Sequence, residues 1–162
     1  MTPIVSLLDL LSVWPGAVWL QQSGTAYLFV NAAHILSVGL LLGSILPFDL
    51  HLIGIIRAGP TVVIGPLLLR TAATGLALTL VTGLWLFTVK PREYIENPAF
   101  LIKIVLLGLA LANVAGQHMD ASFRAVLRGE GVAVRVRLIA ALSAVLWLSV
   151  LVAGRWIGFV AI

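Results

Sequence analysis

Residues 25–47 read TAYLFVNAAHILSVGLLLGSILP, a run with no Asp, Glu, Lys or Arg. At about 1.5 Å of rise per residue such a helix reaches ~34 Å, enough for a hydrocarbon layer of about 30 Å. It predicts a transmembrane helix that opens at Thr25 and closes at Pro47. Three further runs follow. The second covers 66–88; it is entered through Gly59-Pro60 and Gly65-Pro66 and left at Lys90, Pro91 and Arg92. The third starts at Asn97-Pro98, an N-cap followed by proline at the first helical position, and continues to 119. The fourth covers 137–158.

Composition agrees with that reading. Of 162 residues 61% are hydrophobic and 10% charged, against about 25% charged in an ordinary soluble domain. Lipid rather than water then solvates most of the outside. The net charge of +4 rests on few groups, which suit topology signals and anionic lipid better than nucleic acid. There is no cysteine, which excludes disulfides, thiolate metal sites and covalent haem attachment.

The stretch before the first span, residues 3–21, is broken by Asp9 and Pro15 and carries Trp14 and Trp19. It predicts a short helix at the membrane interface, where amphipathic rings collect. No Lys or Arg precedes its apolar part, so no cleavable signal is expected. The predicted fold is therefore all-α and integral to the membrane. It consists of a short N-terminal interfacial helix within residues 1–24 and an antiparallel up-down four-helix transmembrane bundle over 25–162. Arg57, Arg70, Arg124, Arg128, Arg135 and Arg137 fall on one side, and Lys90, Arg92, Lys103 and Arg155 on the other. By the positive-inside rule the first side is cytoplasmic, which puts both termini in the periplasm of a bacterial inner membrane.

The helix faces are unlike one another. Asn31, His34, Ser37 and Ser44 share one side of the first span, with Gly39 and Gly43 nearly opposite. Thr71, Gly75, Thr79 and Gly83 form a ridge on the second span, and Gly108, Ala112 and Gly116 one on the third. Small residues let membrane helices approach closely, or make room for a flat cofactor.

Ionisable groups inside spans are costly and point to function. His34 lies near mid-membrane on this reading, either hydrogen-bonded to a Thr or Asn of another helix, such as Thr79 or Asn113, or ligating haem iron. His118 closes the third span and is the second candidate axial ligand. His51, just beyond Pro47 with Asp49, is a third histidine near the same end. Arg70 is one turn inside the second span, poised to pair with Asp49 or with a haem propionate. Lys103 snorkels from its boundary. His34 and His118 differ in depth by ~10–18 Å at 1.5 Å per residue, which strains a shared porphyrin, whereas His51 and His118 match better in depth.

The stretch from His34 to Gly43 with Leu50, then Thr82-Gly83, then Asn97, Pro98, Ala99 and Phe100 with Lys103, resembles a group of uncharacterised bacterial four-span membrane proteins. It is also similar to copper-resistance-D-like and cytochrome-b-type membrane bundles. In such cytochromes paired histidines hold haem b and pass electrons across the membrane. That resemblance implies haem b at His34, His118 and His51, in an electron-transfer subunit between the quinone pool and a membrane redox partner or a second copy of the chain. Two other functions compete: a cofactor-free structural subunit of a larger complex, and permeation of copper or a small solute. Copper(I) favours Cys and Met, and only Met1 and Met119 are present. No Ser–His–Asp constellation and no HExxH motif indicates hydrolysis.

Overall fold

The computed structural model describes residues 3–57 and 59–159. Met1, one of the two methionines weighed above, lies outside them. Helices α1 (Pro3–Val13) and α2 (Pro15–Gln22) replace the single interfacial helix expected. Trp14 adopts extended φ and ψ of −67° and 151°, the conformation imposed on a residue preceding proline, and the chain turns there. Helix α3 runs Gly24–Ile53, α4 Thr61–Phe87, α5 Pro91–Glu96, α6 Pro98–Met119, α7 Ala121–Leu127 and α8 Val134–Trp156, with a 3-10 turn at Ile157–Phe159. Helices α3, α4 and α6, and α8 with the turn that extends it, are long and apolar enough to cross a membrane.

Two boundaries differ from expectation for one reason. Pro47 and Pro66 both lie inside helices. A proline removes one backbone donor and crowds the carbonyl four residues earlier, but it does not oblige a long apolar helix to stop. At Pro47 the carbonyl released belongs to Gly43, which is exposed. At Pro66 it belongs to Val62, still in the first turn. Helix α3 stops instead at Gly54, with φ of +96°, whose N–H donates to the Leu50 and His51 carbonyls; a left-handed glycine is the usual helix terminator. The third span begins as read: the Asn97 side chain accepts from the N–H groups of Ala99 and Phe100.

Packing is led by α3 on α4, α6 on α8 and α3 on α8. The register of α3 on α4 is fixed at three glycines. Building a Cβ on Gly83 would bring it to 3.0 Å from His34 Cε1, and on Gly75 to 2.5 Å from the Leu41 backbone nitrogen. On Gly65 it would come to 3.4 Å from Phe48 Cε2. Ascending numbers on one helix meet descending numbers on the other, so the two run antiparallel. Two apolar clusters form the interior. One gathers Phe48, Leu52, Phe123, Val126, Val136 and Ala140; the other gathers Leu41, Ile45, Ala72, Ala110 and Trp147. The starts of α3 and α6 share what we term the proximal end, and their last turns share the distal end.

Helices α1 and α2 are tied to the proximal end of α4. Trp85 Nε1 donates to the Gly16 carbonyl and Trp14 Nε1 to Thr88 Oγ1, both at 3.0 Å. Arg92 reaches back to both Asp9 carboxylate oxygens at 2.9 and 2.7 Å. This pair is half exposed, so it adds at most about 1 kcal/mol.

Gly39, Gly43, Gly108 and Gly116 would meet nothing within 4 Å if given a Cβ. The ridge on α4 is thus used inside the chain, while the small-residue stripes of α3 and α6 face outward.

Candidate functional site

His34 projects from α3 onto α4. Thr82 Oγ1 donates to the Leu78 carbonyl at 2.7 Å, so at its 2.8 Å contact with His34 Nδ1 it accepts. Nδ1 therefore carries the ring proton and Nε2 keeps its lone pair. The sequence predicts a Thr or Asn of another helix, such as Thr79 or Asn113; the partner is a threonine of α4, and the Thr79 backbone also lies against the ring. Asn113 instead donates to the Ile139 carbonyl of α8 at 3.4 Å, and Thr79 Oγ1 is buried without a partner among the described residues. His34 lies ten residues into α3, about 15 Å from its start, and meets Gly83, four residues before α4 ends. Lys103 shares this end: its Cε lies 3.5 Å from a Cβ built on Gly154, two residues before α8 ends.

The other histidines are elsewhere. His118, exposed on the last turn of α6, donates from Nδ1 to the Val114 carbonyl at 2.9 Å and sits 5.3 Å from the Phe123 ring. Its Nε2 is also free of partners among the described residues. His51 uses both nitrogens: Nδ1 donates to the Ile56 carbonyl at 3.2 Å, and Nε2 accepts from Thr61 Oγ1 at 3.0 Å. It braces the turn from α3 to α4 and has no lone pair to spare for iron. Next to it, a groove of about 610 Å³ at the distal end is framed by His51, Ile56, Arg57 and Arg137. His34 and His118 lie toward opposite ends of the helices and are not brought together.

Arg70 is exposed on α4 and makes no ion pair among the described residues. The pairing with Asp49 considered from sequence is not formed. Twelve residues along α4 separate Arg70 from Thr82, about 18 Å; Lys103 is the cation nearer His34.

The residue that sequence reasoning underrated is Asp49. Because α3 continues past Pro47, Asp49 belongs to the helix and is 0% exposed. Ser143 of α8 faces it, nine residues beyond Val134 and near the middle of that helix. Apart from each other, neither the Asp49 carboxyl nor Ser143 Oγ has a hydrogen-bond partner among the described residues. A proline two positions earlier had suggested a loop, and that signal hid the site.

At the distal surface Asp120 caps α7 by accepting from Ser122 N–H at 2.7 Å, and Arg135 Nε reaches its other oxygen at 2.9 Å. The Ser122 N–H first, then Arg135, hold this carboxyl below the usual carboxylate range.

The class these features define is an all-helical chain with four helices long and apolar enough to span a bilayer, ionisable side chains facing helix interfaces at two places. The chain belongs to a family described as a family of unknown function (DUF6644), whose model matches residues 13–160. That accords with the resemblance to an uncharacterised family; no similarity to copper-resistance or cytochrome-b proteins is shown. No curated protein and no solved structure matches the chain.

Proposed function

We propose that this chain is a membrane-embedded haem b protein, an electron-transfer subunit between the quinone pool and a membrane partner, with His34 as the one axial ligand it supplies. The carrying observation is the His34 ring, which α4 fixes through Thr82 Oγ1 at 2.8 Å and the Thr79 backbone. Metal-binding histidines characteristically donate their other N–H in this way, which fixes tautomer and orientation. Haem, when bound, supplies a one-electron couple tuned by ligand and burial. The chain's own contribution is positional. Thr82 holds the imidazole, Gly83 leaves room for it, and Lys103 offers a positive charge to an anionic substituent at the same end. Neither His51 nor Arg70 has a role in this reading, and His118 serves a separate surface.

In this reading the helices form an up-down bundle in the bacterial inner membrane. Arg57, Arg124, Arg128, Arg135 and Arg137 place the distal end in the cytoplasm, and both termini are periplasmic. The test is a visible spectrum of the detergent-purified protein, oxidised and then dithionite-reduced. A Soret band that His34→Ala abolishes and His51→Ala leaves intact is expected. A colourless protein after expression with ample haem would overturn the proposal.

A second reading has its own support. The outward glycines of α3 and α6 suit a structural subunit that packs against other membrane helices. In that case Gly39→Leu with Gly43→Leu disrupts co-migration with partner chains on native gels and leaves the monomer folded. Unchanged migration counts against it. Copper permeation has the least support, since Met119, the one methionine among the described residues, is exposed at the end of α6.

A further inference from the structure

We propose that Asp49 is the anionic half of a buried site for an exchangeable monovalent cation, a proton or a sodium ion, at the α3–α8 interface. The inference stands apart from the haem reading, because neither His34 nor Lys103 takes part.

The argument is one of charge balance. An isolated carboxylate withdrawn from water carries a desolvation cost far above what a folded protein tolerates, and it persists only when paired, coordinated or neutralised. Asp49 is fully buried and, apart from the facing Ser143 hydroxyl, its oxygens lack partners among the described residues. Every cationic or titratable side chain on the elements around it is directed elsewhere. His51 on α3 itself is bonded to Ile56 and Thr61. Arg70 on α4, His118 on α6, Arg124 on α7, and Arg135 and Arg137 on α8 are all exposed. What does face the site is neutral. Ser143 Oγ, itself buried, is the group that faces the carboxyl. A hydroxyl can solvate a bound cation or accept from a protonated carboxyl, but it supplies no charge. The compensating charge must therefore come from outside the chain.

Two sources share this chemistry and one experiment separates them. The full-length protein in detergent is treated with a lipid-soluble carbodiimide, which modifies carboxyls that are protonated and out of water, and Asp49 adducts are measured by peptide mass spectrometry. The expected result is modification at Asp49 and not at the hydrated Glu93, Glu96 or Glu130. Modification unaffected by exchanging potassium for sodium chloride identifies the proton. Modification suppressed by sodium and not by potassium identifies the sodium ion. Asp49→Asn, nearly isosteric, removes the adduct. Should that variant fail to fold, the infrared difference of the wild-type protein between about pH 6 and about pH 9, a range in which hydrated carboxyls stay ionised, reports this carboxyl through its carbonyl stretch. An unmodified Asp49 at every pH in sodium-free buffer, together with a silent carboxyl region in the infrared difference, would overturn the proposal.

Discussion

The sharpest test of the helix register is a single methyl group at Gly75. A Cβ there would stand 2.5 Å from Leu41 N, 2.9 Å from Leu41 Cα and 3.0 Å from Leu40 C. All three atoms are backbone, so no rotamer change relieves the overlap. Restoring carbon–carbon contact of about 3.5 Å requires α3 and α4 to part by roughly 1 Å, and a gap of that size forfeits up to about half of each dispersion well along the seam. Overpacking of this kind costs about 1–3 kcal/mol, offset by the ~1 kcal/mol that alanine gains over glycine in a helix. Gly75→Ala should therefore destabilise by about 0–2 kcal/mol. Gly39→Ala, which meets open space, should be neutral or stabilising by up to ~1 kcal/mol. At about 2–4 °C per kcal/mol for a chain of this size, the two variants separate by several degrees in a detergent melt followed by circular dichroism. If Gly75→Ala melts above the wild type, as Gly39→Ala is expected to, α3 and α4 do not touch at this level, and the register that sets His34 over Gly83 fails with it.

Thr82→Val removes the group that fixes the His34 tautomer while keeping its shape; haem affinity should fall by about 10–100-fold, the usual effect of losing such an orienting bond, as measured by haem titration. His51→Ala deletes two hydrogen bonds that brace the α3–α4 turn and should cost roughly 1–3 kcal/mol of stability at about 0.5–1.5 kcal/mol each. Unchanged melting would show that the turn holds without it. Asp120 has a folded-state carboxyl that titrates below its unfolded value near 3.8. Its stabilising effect is thus present above that value and lost as pH falls through the folded one. Melting curves taken downward from neutral pH should show a loss below about pH 4 that Asp120→Asn lacks; parallel curves would remove Asp120 from the account.

The four apolar helices were legible from the sequence because lipid solvation leaves an unmistakable signature: runs of about 20 residues with almost no charge. The start of α6 was legible to the residue, since an Asn97 cap before Pro98 is a local device that needs no partner. So was the order of the helices. The prolines misled in both directions: Pro47 and Pro66 looked like boundaries, yet each lies within a helix, while Pro15 divides what had been read as one short helix.

What tertiary structure alone decided is which element each face meets, and at what height. Helical periodicity places Gly39 with Gly43 on one side and Gly75 with Gly83 on one side of another helix. It cannot say that the second pair carries α3 while the first faces outward. Nor does it fix how far one helix slides along its neighbour, because that offset is set by side chains fitting into gaps on a different segment, as the His34 ring does over Gly83. That slide left His51 bracing a turn, kept Arg70 from Asp49, and enclosed Asp49 against Ser143.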